Sequence, residues 1–277
     1  MAAVSSRPPI EARFVRPAVM GVVNVTPDSF SDGGAHLGVE AAATVALGML
    51  DEGAAIVDVG GESTRPGAGP VPLGDELDRV VPVLEALRGS PVSIDTAKAD
   101  VARAAVDLGA ELVNDVTALR GDPELAGVVA DAGCYLCLMH MLGEPRTMQA
   151  DPRYDDVVSE VKAFLEARLA FAVSAGVREE LICLDPGIGF GKTVEHNFEL
   201  VRRLPELAAI GRPVVIGISR KSTLARLFDP SATVATDDAS VGAAVAAYER
   251  GATIFRVHNV RAHVEALRAA QAVYAGP

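Results

Sequence analysis

The sequence contains no tryptophan, and aromatic residues make up only 4% of its 277 positions. Hydrophobic residues still account for 49% of the chain, and most of them are alanine, valine and leucine. Small aliphatic side chains suit parallel strands that helices cover on both faces. No apolar run reaches the roughly 18 residues of a membrane-spanning helix without a glycine or a charge. The composition therefore predicts a globular α/β protein with no membrane span.

Positive charge is also in short supply. The chain has 25 Lys and Arg against 37 Asp and Glu, which gives a formal net charge of -12. A protein of this charge is not expected to bind nucleic acid or an anionic membrane surface. A small anionic substrate remains compatible with it, provided that basic side chains gather at the site.

Cysteine occurs only three times. Cys134 and Cys137 form a C-x-x-C pattern, which can mark a metal or redox site. The surrounding run CYLCLMH is typical of a strand, however, and residues three apart on a strand face opposite sides. We therefore expect buried free thiols in a reducing, cytoplasmic environment. Residues 1–17 lack the apolar core of a secretory signal and are expected to form a flexible lead-in to one domain spanning residues 18–277.

Eight apolar segments alternate with helical patterns along the chain. Segments such as DEGAAIVDV and ERGATIFRVH end a helix on a glycine, which can adopt the left-handed conformation, and begin a strand at once. Strict alternation predicts a parallel sheet, and eight units in one body of about 250 residues predict a single (β/α)8 TIM barrel. An open doubly wound sheet is the alternative, but it usually carries a dinucleotide-binding loop that is missing here. The predicted strands are 19–25, 55–59, 91–94, 112–113, 135–139, 181–184, 214–218 and 253–257.

Two long loops, TPDSFSDGGAH and GGESTRPGAGP, follow strands 1 and 2. Connections between neighbouring strands and helices usually need about two to six residues. Long glycine-rich polar loops at this position are therefore expected to act as lids over the mouth of the barrel rather than as linkers.

Polar residues end most of the strands, and TIM-barrel active sites lie at those carboxyl ends. A lone Asp there is often only a helix cap. Asp95, Asn114 and Asp185 come from three different strands, however, and with Lys221 they supply donors and acceptors that suit a flat, nitrogen-rich heterocycle. The strand ends carry Asn24, Asp58, Glu62, Asp95, Asn114, His140, Asp185, the turn 219–221, Arg256 and His258.

The basic residues at the same end are candidates for binding an anion. Arg256 ends an apolar strand and needs an anionic partner, and its planar guanidinium suits phosphate. His258, two residues on, faces the same way. A structural Arg–Asp pair is the alternative for Arg256, and a solvated loop charge is the alternative for Arg65. The stretch GIGFGKT lacks the spacing of a phosphate loop and is otherwise a tight turn, with Lys192 as a further candidate for assisting an anion.

Together these residues resemble the dihydropteroate synthase family of the folate pathway. The resemblance implies a (β/α)8 barrel that joins 6-hydroxymethyl-7,8-dihydropterin pyrophosphate to p-aminobenzoate, giving 7,8-dihydropteroate and pyrophosphate. It also implies Mg2+, inhibition by sulfonamides, and a homodimer for which helix 241–248 is a candidate contact. The stretches that carry it, in family order over residues 19–260, are MGVVNVTPDSFSDGG, VDVGGESTRPGA, VSIDT, LVNDV, LDPGIGFGKT, GISRKS and FRVHNV.

By this resemblance, each site residue acquires an expected role. The pterin is expected to contact Asp95, Asn114, Asp185 and Lys221. Pyrophosphate is expected to contact Arg256, His258 and Asn24, and Asn24 also Mg2+. The loops and the 219–221 turn are expected to bring Phe30, Thr64, Arg65 and Ser219 to p-aminobenzoate, with Thr64 and Arg65 also closing over pyrophosphate. The expected catalytic residues are Asp95, Asp185, Lys221, Arg256 and His258.

Two positions depart from the family pattern. Asn259 replaces the usual aspartate after the histidine, and Leu142 replaces the usual glutamine of MHMQG. If that aspartate orients the histidine, the orientation here must come from elsewhere. Two other functions remain open from the sequence. One is a related barrel that passes the methyl group of methyltetrahydrofolate to a corrinoid protein, and the other is a paralogue that binds pterin without catalysis.

Overall fold

Eight parallel strands form the barrel predicted from the sequence. The computed structural model describes residues 7–26, 34–64 and 67–275, without the side chains of 34–37 and 275. The strands are Ala18–Asn24 (β1), Ile56–Gly60 (β2), Val92–Asp95 (β3), Leu112–Asp115 (β4), Tyr135–Met139 (β5), Ile182–Asp185 (β6), Val215–Ile216 (β7) and Ile254–Val257 (β8).

The strands lie in one sheet, in the order β6-β5-β4-β3-β2-β1-β8-β7. The sheet nearly closes, because a single bridge between Leu184 and Val214 joins β6 to the start of the seventh strand. The seventh strand is shorter than the predicted range 214–218. It leaves the ladder at Gly217, beside the polar side chains that fill the mouth of the barrel.

Helices surround the barrel and connect its strands. Glycines at several helix ends adopt positive φ, as the sequence predicts, among them Gly53 and Gly251. The predicted helix over 194–207 is split at Arg203, because Pro205 lies in the first turn of a new helix and cannot donate a backbone hydrogen bond. The helices are Ile10–Arg13 (α1), Gly34–Asp51 (α2), Leu73–Ala86 (α3), Ala99–Asp107 (α4), Leu125–Ala132 (α5), Val157–Ser174 (α6), Val194–Arg202 (α7), Leu204–Ala208 (α8), Ser222–Ala225 (α9), Asp237–Glu249 (α10) and Val260–Ala275 (α11).

Apolar side chains fill two layers. The larger core lies between the strands and the surrounding helices and includes Cys134. The smaller core lies inside the barrel and includes Cys137 and Cys183. The two cysteines of the C-x-x-C pattern therefore face opposite sides of the sheet, as predicted, and all three thiols are free and buried. Within the described ranges, no helix has the length and apolar character needed to cross a bilayer.

The amino-terminal segment corrects one expectation. Residues 7–17 are not a loose lead-in, because Ile10 is fully buried and Phe14 is 1% exposed inside the barrel. The ring of Phe14 packs edge-on against Tyr135 at 5.6 Å, and the Tyr135 hydroxyl donates to the carbonyl oxygen of Pro8 at 3.0 Å. Helix α1 thus closes the amino-terminal end of the barrel. Residues 1–6 lie outside the described part.

Candidate active site

Charged and polar side chains from four strands meet at the carboxyl end of the barrel. Arg256 on β8 donates from Nε to Oδ2 of Asp58 at 2.7 Å and from Nη2 to Oδ2 of Asp95 at 2.6 Å. Asn114 on β4 donates from Nδ2 to the same oxygen of Asp58 at 3.0 Å. The register explains this meeting, because Asp95 is paired with Gly60 on one side and with Asn114 on the other. One continuous hydrogen-bonded chain therefore joins Asn114, Asp58, Arg256 and Asp95.

Asp58 is the hub of this chain, although the sequence identified it only as a strand end. Its side chain is fully buried, and one oxygen serves both Arg256 and Asn114. Its other oxygen, Oδ1, and the hydroxyl of the adjacent Ser93 are both buried without a hydrogen-bond partner among the residues that the structure describes. The available sequence signal was a single acid within the apolar strand IVDVG. A buried carboxylate of this kind fixes the orientation of the groups that donate to it.

Burial changes the protonation of the acids and bases at this end. Burial raises the pKa of Asp95 to about 7, although Arg256 opposes the shift. Burial alone would lower the pKa of Arg256, but Asp58 and Asp95 outweigh it and raise that pKa above its ordinary value. Burial also raises the pKa of Asp185. Strongly shifted groups that gather in one place are typical of functional sites.

Lys221 and Asp185 complete the same cluster from β6 and the β7 turn. A Cβ on Gly217 would lie 3.9 Å from each of three atoms, namely Cβ of Arg256, Oδ2 of Asp185 and Nζ of Lys221. The three side chains therefore surround one point at the barrel mouth. Burial lowers the pKa of Lys221 to about 8, and Asp185 counteracts that shift.

The loop after β6 positions Lys221. Its ammonium group donates to the carbonyl oxygen of Ile188 and lies 4.5 Å from the centre of the Phe190 ring. Gly187 has φ +68°, and a Cβ there would lie 1.9 Å from the carbonyl oxygen of His140. Only glycine fits this close approach. The loop is consequently pressed onto the end of β5, and the lysine is anchored on it.

Lys192 does not face the mouth as an anion-binding residue. Its side chain is 3% exposed, and Nζ lies 2.8 Å from Nδ1 of His140 and 3.0 Å from the carbonyl oxygen of Phe190. Burial lowers the pKa of Lys192 well below its ordinary range, and burial with Lys192 nearby lowers the pKa of His140 to about 2. The pair fastens the β6 loop to β5, which favours the tight-turn interpretation of GIGFGKT.

Ser219 and His258 approach each other on the β7 and β8 turns. The hydroxyl of Ser219 lies 3.2 Å from Nδ1 of His258 and accepts the backbone N–H of that residue at 3.3 Å. Asn259 instead donates from Nδ2 to Asp237 at 2.9 Å, and its Oδ1 accepts the N–H of Ala262 at 3.2 Å at the start of α11. Ser219 therefore contacts the His258 ring in this chain, while Asn259 caps α11 and donates a hydrogen bond to Asp237.

Of the remaining predicted site residues, the structure describes Asn24 and Thr64. Asn24 ends β1 with a partly exposed side chain, opposite Gly60. Thr64 lies just beyond β2 and is partly buried. Phe30 and Arg65 fall outside the described residues, as does most of the first loop. The departure at Leu142 leaves its side chain 38% exposed, while its backbone supports Gly191 of the β6 loop.

Comparisons with known proteins agree with this geometry. The model of the pterin binding enzyme family matches residues 20–258. Dihydropteroate synthase of Escherichia coli K12 is 44% identical over 261 residues, which cover 92% of this chain and 91% of that protein. The structure of the Xanthomonas albilineans enzyme with 4-aminobenzoic acid has a TM-score of 0.87 at 47% identity and covers 95% of both chains. The Yersinia pestis enzyme in a sulfonamide drug complex has a TM-score of 0.86 at 42% identity, covering 94% of this chain and 95% of that one.

Proposed function

This chain belongs to the dihydropteroate synthase family, and on that premise we propose how its residues join 6-hydroxymethyl-7,8-dihydropterin pyrophosphate to p-aminobenzoate, with release of pyrophosphate. The observation that carries the proposal is the convergence of the buried acids, Asn114, Lys221 and Arg256 on one rim. Such a rim can hold a nitrogen-rich ring on one side and a departing diphosphate on the other.

The reaction needs electrostatic stabilisation more than proton transfer. The breaking bond joins the CH2 group of the pterin to an oxygen of pyrophosphate, and the dihydropterin ring can delocalise positive charge from that carbon. The amine of p-aminobenzoate is already nucleophilic, so it needs no strong general base. Charges fixed in a poorly hydrated site are worth several kcal/mol to such a transition state.

The pterin occupies the side formed by Asn114, Asp95, Asp185 and Lys221. Ionised carboxylates accept hydrogen bonds from ring N–H groups, and an ammonium group donates to ring acceptors. The acids also balance the positive charge that develops on the ring. Because burial raises the pKa of Asp95 and Asp185, a ligand that donates to them stabilises their ionised forms.

Arg256 and His258 hold the pyrophosphate. Nε and Nη2 of Arg256 already bind Asp58 and Asp95, so these acids fix the guanidinium in place. Within the described ranges Nη1 donates no hydrogen bond, and it is the nitrogen that we assign to a phosphate oxygen. The structural Arg–Asp pair and the anion-binding role are thus compatible. Ser219 keeps the ring of His258 in position, and Thr64 contributes from the second loop.

Magnesium fits this donor set only as a partner of the diphosphate. Across the described residues, no group of three or more His, Cys, Asp or Glu side chains is arranged to hold a metal ion. Asn24 offers one amide oxygen at the rim, and Mg2+ commonly takes one or two protein oxygens together with substrate phosphates and water. Bound in this way, the ion would supply positive charge to the leaving diphosphate. Pterin-dependent methyl transfer to a corrinoid protein would have no use for these groups.

We test the function by measuring product formation directly. Purified protein with both substrates and Mg2+ should release pyrophosphate and form dihydropteroate, and a chelator should stop both. Lys221→Met should lower kcat/KM by about 100-fold, whereas Lys162→Met on the outer helix α6 serves as the matched control and should leave it unchanged. Failure of the unmodified protein to form product at micromolar concentration would favour a paralogue that only binds pterin.

The assembly, compartment and drug response follow as further proposals. We propose a homodimer that uses α10 and the neighbouring turn, where Leu227 and Phe228 are 58% and 76% exposed. Unpaired buried cysteines support a cytoplasmic location. Because sulfonamides mimic p-aminobenzoate, we expect them to compete with that substrate. Sedimentation equilibrium tests the dimer, and competition kinetics test the inhibition.

A further inference from the structure

The stems of the second loop are tied together at the rim. This loop comprises residues 61–72, between β2 and α3. Oε1 of Glu62 on its first stem accepts the backbone N–H of Val71 on its second stem at 3.1 Å, nine positions away. Gly61 contributes its carbonyl oxygen to Nη1 of Arg79 at 2.8 Å. Both stems of the loop are therefore held in place at the rim of the barrel.

A second tie connects the loop to the strand that carries Asp95. The ammonium group of Lys98 pairs with Glu62 and also with Glu76 of α3, whose side chain is fully buried. Glu76 in turn accepts the hydroxyl of Thr96 at 2.7 Å, and Thr96 directly follows Asp95. Burial alone would lower the pKa of Lys98, but its hydrogen bonds to Glu62 and Glu76 outweigh burial and raise that pKa. The lysine is thus held as a cation between the two acids.

We propose that Glu62, Lys98 and Glu76, here called the loop clasp, are positioning residues that hold the first stem of the second loop, and with it Thr64, beside the bound substrates. The inference rests on the proposed function for its substrates. None of the three residues belongs to the hydrogen-bonded chain that holds Arg256. The clasp acts through Thr64, two positions beyond Glu62, and so affects p-aminobenzoate more than the pterin ring.

A purely structural role is the competing explanation, and the choice of variant must separate the two. Removal of Lys98 would leave Glu76 buried without its cation, which is strongly destabilising. Glu62→Gln is milder, because it keeps an oxygen for the N–H of Val71 and leaves the Lys98–Glu76 pair intact. Glu166→Gln on α6 is the matched control, since it removes one partner of a Lys–Glu pair that lies far from the mouth.

Kinetics provide the first measurement. Glu62→Gln should raise KM for p-aminobenzoate roughly tenfold. The dissociation constant of dihydropterin pyrophosphate, measured in a binding assay, should change less than about twofold. Glu166→Gln should change neither quantity. Equal changes for both ligands, or a lower melting temperature with unchanged KM, would overturn the positioning role.

A second measurement does not depend on the reaction. Because the chain contains no tryptophan, Ala68→Trp places a single fluorescent reporter on the loop. Adding Glu62→Gln should lower the steady-state anisotropy of that reporter without substrate, and adding Glu166→Gln should not. An unchanged anisotropy would contradict the clasp. Absence of turnover in the unmodified protein would count against the proposed function alone, since the anisotropy comparison would still be valid.

Discussion

The two ends of the barrel interior are built from the same strands but from opposite kinds of side chain. At the amino-terminal end, Ile10, Phe14 and Tyr135 fill the space with apolar surface. At the carboxyl end, Asp58 and Asp95 share one guanidinium group in a site with little access to water. The first end lowers the free energy of the folded state by burying apolar area, whereas the second holds charges that burial disfavours.

The carboxyl end of the barrel is therefore the part that binds and reacts at a cost to the stability of the folded state. Burial moves the pKa of Asp95 to about 7 and that of Lys221 to about 8, which means that burial disfavours their charged forms even beside Arg256 and Asp185. A ligand of complementary charge can stabilise these charged forms further. Substitutions at the amino-terminal end should therefore change stability alone, and those at the carboxyl end should change binding and catalysis.

The largest effect is expected from Arg256→Met. This change removes the partner of both Asp58 and Asp95 and the proposed ligand of pyrophosphate. We expect kcat/KM to fall by about 1000-fold, as for loss of a transition-state donor. Pterin binding should weaken too, because Asp95 would lose the cation that opposes protonation. Steady-state kinetics and calorimetric titration with dihydropterin measure the two effects.

Arg256→Lys provides the matched comparison. Lysine keeps the positive charge but lacks the planar fork that reaches two carboxylates and a phosphate together. It should recover pterin binding more than turnover. Equal recovery of pterin binding and turnover would mean that only the positive charge matters at this position. The two barrel ends would then differ in charge, and the geometry of the guanidinium group would not matter.

At the opposite end, Phe14→Ala should cost about 3–4 kcal/mol of unfolding free energy by leaving a cavity against Tyr135. Urea unfolding monitored by circular dichroism measures this loss. At a temperature where the variant is folded, kcat/KM should stay within about twofold, because the ring makes no contact with the mouth. A large fall in kcat/KM of the folded variant would show that the two ends are coupled.

The pH dependence of pterin affinity should sharpen the comparison. In the proposed pterin site Asp95 accepts ring N–H groups as a carboxylate, and its pKa without ligand is about 7. Affinity should therefore be nearly constant above about pH 8 and fall roughly twentyfold between pH 7.5 and 5.5 as the carboxyl group takes up a proton. Calorimetric titrations with dihydropterin across this range measure the change. Asp95→Asn should bind dihydropterin weakly, and its affinity should not fall between pH 7.5 and 5.5. If the affinity of this variant still falls over that range, another group is responsible for the titration.

The same shift has a consequence for stability without ligand. The folded-state pKa of Asp95 is raised from 3.8 to about 7, so its contribution is complete below pH 3.8 and is lost as the pH rises through about 7. Asp95→Asn should remove that part of the pH dependence of the unfolding free energy. Phe14→Ala should lower stability equally at every pH, which distinguishes the two ends in one set of unfolding curves.

Sequence patterns predicted the barrel and its rim because parallel topology brings all carboxyl ends of the strands to one side. Asp95, Asn114, Asp185 and Arg256 follow from that rule without any knowledge of packing. The partners could not be predicted, since they depend on side-chain reach across the barrel. Thus Asp58 was recognised as a strand end but not as the hub between Arg256 and Asn114.

The amino-terminal segment and the loop clasp were missed for related reasons. Only two large apolar residues, Ile10 and Phe14, anchor α1, and a pair of anchors gives no periodic signal. Glu76 lies in α3 and Lys98 lies just before α4, 22 positions away, so their meeting depends on how these two segments pack. Contacts between distant segments of this kind become visible only when the fold is known.

The smallest effect is expected from Asn259→Asp, which restores the residue typical of the family. Nδ2 of Asn259 lies 2.9 Å from Asp237, whose pKa is held at about 2, chiefly by its hydrogen bond with Arg220. A second carboxylate there would lose a donor and add repulsion, but it would still cap the N–H of Ala262. We expect a loss of about 1 kcal/mol of unfolding free energy at pH 7, measured by urea unfolding.

The pH dependence and the activity of Asn259→Asp decide how this departure is interpreted. One carboxyl group of the new pair would have a raised pKa in the folded state, so the loss should shrink at pH 4 and grow as the pH rises. Asn259→Ala, which adds no charge, should give a loss with little dependence on pH. Because Nδ1 of His258 faces Ser219 at 3.2 Å, kcat should change less than about threefold in either variant. A tenfold change in kcat with Asn259→Asp would instead mean that residue 259 orients the histidine, and that Ser219 does not do so alone.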